Sequence, residues 1–504
     1  DLRTGCQSLA DGVTERETTM MSEKNLVLVG LLAGLLGPSS VAAQTMTAGV
    51  AKGVITNTES LVMVNGRMSE GTKEDLHARV LVLNDGDSRL VFVTYDLNCL
   101  DVATPVLRQR VRRELGIEPS HLILLATHNH NAPIQINPDN FAYGRWLAGE
   151  MFGLIEEAIA NERGPARVEF GSGYGYFITA RGNAPVDYEI QLLQVTRNGS
   201  PVAMLFSHGT HPAQASRSLI DTGHPGYAMD DIEAAVPGVL AMYSDASGGN
   251  QFPRQPADWN AQVAASRETG AAAYDALLEA RARELGRRLA EAVLGIADGL
   301  LEDVTGPITS SIEVVGLPLA PPISRDEALA LAEQFPPDVG FVHYPHRYRS
   351  TNWVRMLLRY YERNIPFPTR TTEMVCTDDT YLIHQTDQEF LDRYDDRLHD
   401  ASPCIYNEII VARLGPMPIV AMQGEICAPI GARIKDVFRA DRPIMVFGYM
   451  GEHNLYIPTR ELVRLNAYQA QVIQIQYASP VGWAPEVEDE MVGHVVRMVE
   501  AILD

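Results

Sequence analysis

An α/β fold, with a mixed sheet covered by helices, is what this sequence predicts, and three observations carry the prediction. Short apolar runs of strand length recur along the chain and are separated by longer runs with helical spacing. Several of the strand-like runs are apolar throughout, which suits strands covered on both faces. With 504 residues and 46% hydrophobic content, the chain can bury one large core or two or three ordinary ones. No repeat period or low-complexity tract emerges, which argues against a solenoid or propeller.

Taken in order, residues 21–43 have the layout of a signal peptide. Met21, Ser22, Glu23 and Lys24 precede an apolar run from Leu26 to Leu36, and Val41, Ala42 and Ala43 offer small residues for cleavage. That run is roughly 11 residues, short of the ~20 that span a bilayer. Cleavage after Ala43 and a secreted or periplasmic protein are therefore expected. Residues 1–20 precede Met21, lack apolar periodicity and are read as a doubtful leader, so that 44–504 is one large domain.

Strand-like runs follow at 79–83, 90–95, 122–126, 190–195, 202–206, 239–243, 409–413, 418–422 and 443–447. Helical runs occupy 105–115, 146–161, 271–300, 326–334, 352–363, 429–438 and 486–503. Between Pro318 and Pro345 the extra prolines 321, 322, 336 and 337 mark an irregular surface segment. Cys6 falls in the leader. Export permits disulfides, and Cys376 with Cys404 is the expected pair because both lie in a polar, loop-rich stretch. The chain has no CxxC spacing, so a thiolate zinc site is not expected.

The formal net charge of -23 argues against a nucleic-acid partner, since phosphate affinity rests on clustered Lys and Arg. Anionic membranes would repel such a chain on average, leaving at most transient contact with a membrane surface. A small-molecule or lipid substrate fits better, and nothing in the pattern fixes an oligomeric state.

Chemistry concentrates at strand ends. The run 122–126 leads into Thr127, His128, Asn129 and His130, and side chains alternate across a strand, so both histidines share one face if the extended conformation persists. The run 202–206 ends in Ser207, His208, Gly209, Thr210, His211 and Pro212. Of 13 histidines, five (His128, His130, His208, His211 and His224) fall in this one stretch, and imidazole is the commonest metal ligand. A catalytic zinc site takes three protein ligands and keeps a position open. After 418–422, Gln423, Gly424 and Glu425 precede Pro429. That carboxylate either enters a cleft at the strand's carboxyl end or caps the following helix. The run 443–447 continues through Gly448, Tyr449, Met450, Gly451, Glu452, His453 and Asn454 to Tyr456, with Tyr468 beyond.

Together these segments resemble the neutral, non-lysosomal ceramidase family, over nearly the whole chain from about Leu61 onward. The resemblance implies zinc ligands at His128, His211, Glu425 and Tyr456, with His130 and Tyr468 beside the reacting carbonyl and Arg181 steadying the oxyanion. His208 is the alternative to His211, reached by a three-residue shift. Asp96, Arg79 and a Pro225, Gly226, Tyr227 turn match as well. The family's nucleophile loop is altered: Ser244, Asp245, Ala246 and Ser247 are followed by Gly248 and Gly249, so Ser247 receives no catalytic role. The chain also ends at Asp504, before the family's C-terminal immunoglobulin-like domain, which is not expected here. A zinc-dependent hydrolase of an N-acyl bond is implied, ceramide being the family default. The alternatives are a metallohydrolase for another amide or ester and an inactive acyl-ligand-binding protein.

Overall fold

Three sheets surround one shared core. A computed structural model describes residues 45–135, 138–181, 184–334, 352–364, 404–451, 455–475, 479 and 481–504. The first sheet holds β1 (Thr47–Val54), β2 (His77–Asn84), β3 (Arg89–Tyr95) and β4 (Leu122–Ala126) in that order. Its first three strands are antiparallel, and β4 returns parallel to β3 through α1 (Ala103–Leu115). Helix α2 (Phe141–Ala160) then packs on the same sheet.

The connectivity recurs twice. In the second sheet β5 (Ala166–Tyr174), β7 (Glu189–Arg197) and β8 (Ser200–His208) are antiparallel, and β9 (Leu240–Asp245) returns parallel through α3 (Gly223–Ala235). Between β5 and β7 lies the short β6 (Ile178–Ala180), which pairs with β10 (Gln251–Pro253). Helices α4 (Trp259–Thr269) and α5 (Ala271–Ala297) follow, and β11 (Glu302–Asp303) adds an edge. The third sheet repeats the pattern with β12 (Ile308–Pro318), β13 (Cys404–Leu414), β14 (Met417–Met422) and a parallel β16 (Met445–Phe447). Its segments β15 (Glu425–Ile426) and β17 (Tyr456–Ile457) pair separately. Helices α6 (Arg325–Gln334) and α7 (Asn352–Arg363) lie between β12 and β13, and α8 (Ala428–Phe438) joins β14 to β16.

Period-two alternation explains how the sheets share a core. In β3, Leu90 and Phe92 face the common centre, while Val91, Val93 and Tyr95 face the helices. Leu193, Leu205 and Met242 of the second sheet, with Ile410, Ile419 and Phe447 of the third, meet them in that centre. Each outer face is covered by its own helices: Leu107 and Met151 on the first sheet, Ile232 and Leu289 on the second, Ile434 and Val495 on the third. The strands are thus buried on both faces, as their apolar composition implied, but the second cover is another sheet.

All nine expected strands are present, several extended by a few residues. Helix α2 begins at Phe141 rather than 146, and α5 stops at Ala297. The expected turn at Pro225, Gly226 and Tyr227 lies instead inside the start of α3, where a side chain at Gly226 would collide with Thr222 Oγ1. Cys376 and residues 452–454 lie outside the described residues, as does most of the proline-rich segment beyond Gln334.

Buried ion pairs link the sheets and their helices. Arg108 of α1 meets Glu408 of β13, and Lys435 of α8 lies 2.5 Å from Asp187 and 2.6 Å from Glu189, at the start of β7. Removing one partner of such a pair strands a buried charge, at a cost of about 3–5 kcal/mol.

Candidate metal centre

The carboxyl ends of β4, β8 and β14 open onto the same place, and each delivers a side chain there. Extended backbone stops at Ala126, and His128 takes a left-handed conformation (φ 58°) rare for a residue with a side chain. Continued extension would have carried His128 onto the helix-covered face with Leu122, Leu124 and Ala126. The turn places its ring against those of His130 and His211, with centroids 4.6 and 4.8 Å away. The ligand atoms of His128, His130 and His211 all lie within 4.8 Å of one another, close enough to hold a metal ion.

Glu425 completes the cluster. Its Oε2 lies 3.3 Å from Nε2 of both His128 and His211. The α8 helix is capped by Cys427 backbone with no side-chain cap, so Glu425 is not spent on capping. Tyr456 sits opposite Glu425 because β15 and β17 pair in register, and its hydroxyl is 3.0 Å from His211 Nε2. His130 Nε2 is 3.1 Å from His128 Nε2. His128, His130, His211, Glu425 and Tyr456, from four distant points of the chain, therefore share one centre.

Hydrogen bonds on the far side of each ring fix its orientation. His211 Nδ1 faces the carbonyl oxygens of Gly248 at 3.1 Å and Gln251 at 3.2 Å, which only an N–H can satisfy, so Nε2 is left with a free pair toward the centre. His128 Nδ1 lies 2.9 Å from the side-chain nitrogen of Asn98, which donates to it and leaves Nε2 turned toward the centre. Burial pushes the His128 ring down from the ordinary imidazole range, with Glu425 opposing it, and the ring is neutral near pH 7. Burial alone would raise Glu425, but His128 and His211 outweigh it and hold the carboxyl well below its usual range. Asp245, at the end of β9, is pushed well up by burial. Glu425 thus stays ionised beside the His128 and His211 rings.

The donor set fits a divalent cation. Glu425 Oε2 is buried with only the His128 and His211 imidazoles beside it, and among the described residues no lysine or arginine pairs with that carboxylate. An anionic oxygen enclosed in this way needs a positive charge beside it. Imidazole and carboxylate are the ligand types that zinc takes.

No family model and no curated protein matches the chain. Among solved structures, the neutral ceramidase from Pseudomonas aeruginosa superposes with a TM-score of 0.64, covering 91% of this chain and 75% of that one at 18% identity. A ceramidase complexed with C2 gives a TM-score of 0.62 at 19% identity, with the same shares covered. The fold is that of neutral ceramidase. At this identity the likeness is one of fold.

Within that ceramidase fold, the remaining sequence candidates divide. Arg181 lies over the Phe252 ring at 4.3 Å and beside the Tyr468 ring at 5.2 Å, and Tyr468 meets Tyr456 edge to face at 5.8 Å, so both flank the centre. Ser247 does not join it. Its hydroxyl packs against the α8 backbone, where a side chain on Gly431 would lie 2.1 Å from Oγ. His208 also stays apart, buried against Phe177. Sequence reading missed Asn98, Tyr449, whose ring tilts over His128 at 4.3 Å, and Phe252, which stacks on His211 at 4.6 Å. It missed too that the glycine-altered loop 244–253 still serves the centre, because two of its carbonyls orient His211. A strand-end Asp-x-Asn such as Asp96, Leu97, Asn98 is the one signal that could have pointed to Asn98.

Proposed function

We propose that the protein is a zinc-dependent hydrolase of an N-acyl amide bond, acting outside the cytoplasm. The observation that carries this reading is the buried Glu425 carboxylate set against His128 and His211, with His130 clustered on those two rings, at the common mouth of three sheets. The likeness in fold to neutral ceramidase supports an amide as the bond broken.

His128, His211, Glu425 and Tyr456 would hold the metal, which when bound supplies a water of lowered pKa and polarises a carbonyl. In the net reaction the water oxygen bonds to the acyl carbon and the C–N bond breaks. One water proton ends on the amine, and the other stays with the carboxylic acid. His130, half buried at the centre's edge, or the Tyr468 phenol would pass a proton to the departing nitrogen. Arg181, exposed and 4.3 Å from the Phe252 ring centre, would donate to the developing oxyanion. Ser247 takes no part.

Metal analysis of purified protein, combined with a panel of N-acyl substrates that includes a short-chain ceramide, tests the reading. About one zinc per chain and release of free amine are expected, with both lost in His128→Ala and Glu425→Ala. Either variant retaining stoichiometric zinc and full turnover overturns it.

A further inference from the structure

Beside His130 a cavity of about 730 Å³ opens between the 65–67 turn, the loop at 213–217 and helices α4 and α5. Its charge is opposite to that of the chain. The whole sequence has 64 acidic and 41 basic residues, yet the lining includes Arg67, Arg217, Arg267 and Arg281 and no Asp or Glu. Two of these guanidiniums are already matched, Arg217 Nε lying 3.1 Å from Asp275 and Arg281 Nη1 lying 2.6 Å from Glu284. Arg281 is itself buried, and its Nε has no acceptor among the described residues.

Arg67 and Arg267 have no carboxylate partner among the described residues. Arg267 donates to the Tyr274 hydroxyl at 3.1 Å and lies 4.7 Å over that ring, which steadies its guanidinium against the α5 wall. Leu278 is the single branched aliphatic residue in the lining. Guanidinium forks match the paired oxygens of carboxylates and phosphates, and a concave wall of one sign concentrates the opposite charge. A neutral lipid gains nothing from either.

We propose that the substrate is an N-acyl amide bearing an anionic group, bound by Arg67 and Arg267 in the cavity that His130 borders. The proposal rests on the hydrolase reading and narrows it. Both arginines are exposed, so their replacement leaves packing intact.

The test measures kcat and KM for wild type and the R67Q/R267Q double variant on N-hexanoyl-glutamate, N-hexanoyl-phosphoethanolamine, the uncharged N-hexanoyl-glutamine amide and a short-chain ceramide. Wild type is expected to favour at least one anionic substrate over the neutral ones at least ten-fold in kcat/KM. That ratio should fall at least ten-fold in the variant, chiefly through KM, and the better of the two anionic substrates identifies carboxylate or phosphate as the group read. Equal or better cleavage of the neutral substrates by wild type, or an unchanged ratio in the variant, overturns the anion proposal and leaves the hydrolase intact. If no amide is cleaved, the hydrolase reading fails, and calorimetry with N-hexanoyl-glutamate decides the anion site: binding weakened ten-fold in the variant upholds it, and no binding overturns it.

Discussion

Two histidines three residues apart, His208 and His211, have opposite fates, and the contrast shows what a strand end does to a side chain. His208 is the last residue of β8, paired with Ile190 on one side and Asp245 on the other. Its register continues Met204 and Phe206 onto the face covered by α3 and α5, so its ring is buried with neither nitrogen bonded among the described residues. His211 lies past the last ladder bond, its N–H held by the Gln251 carbonyl, and is free to turn into the mouth. Ladder residues obey alternation; residues just beyond them can reach a site.

The largest expected effect separates the two directly. His211→Ala should lose the metal and about 100-fold or more in activity, whereas His208→Leu should keep stoichiometric metal and a stability within about 1 kcal/mol of wild type, since an apolar side chain suits a site with no hydrogen-bond partner. Metal analysis with thermal melts checks both, and metal loss in His208→Leu alone would reverse the ligand assignment. A smaller effect is expected at Asn98, which orients His128 as the Gly248 and Gln251 carbonyls orient His211. Asn98→Ala should weaken metal binding about 10–100-fold without abolishing it, as a chelator competition would show; unchanged affinity would deny that bond a role.

A separate effect is on the pH dependence of stability. Burial pushes His208 down to about 4 and His224, buried nearby on α3, down to about 3. Their folded values lie below the unfolded value near 6.5, so the unfolded chain binds more protons through that window. Stability is then complete above about pH 6.5 and is lost as pH falls toward the folded values. Each ring contributes roughly 1.4 kcal/mol per pH unit there. Denaturant titrations of His208→Leu between pH 6.5 and 4.5 should show a flatter slope than wild type, and identical slopes would contradict the burial argument.

Legibility in the sequence followed burial. Strands such as β3 from Leu90 onward, β4 and β14 could be read because nearly every residue is apolar and all are buried on both faces. The strands β1, β5 and β12 went unread because glycines and half-exposed positions break their pattern, as in Ile308, Thr309, Ser310 and Ser311 at the start of β12. The start of α3 was read as a turn since Gly223, Pro225 and Gly226 are ordinary turn residues, and only the tight approach of Thr222 shows why glycine is needed in a helix there. The candidate ligands were legible as strand-end histidines and a strand-end carboxylate. Their orienting partners were not, because a backbone carbonyl such as that of Gly248 leaves no trace in residue type.

By itself the sequence determined the α/β class, nearly every buried strand and the short set of side chains able to bind a metal, since each of these is set by local periodicity or by side-chain chemistry. Tertiary structure alone decided that the strands form three sheets about one core, that His211 rather than His208 reaches the mouth, and that arginines gather beside His130 in an acidic chain. Those outcomes depend on register, turn conformation and contacts between residues hundreds of positions apart, and no local pattern encodes where such residues meet.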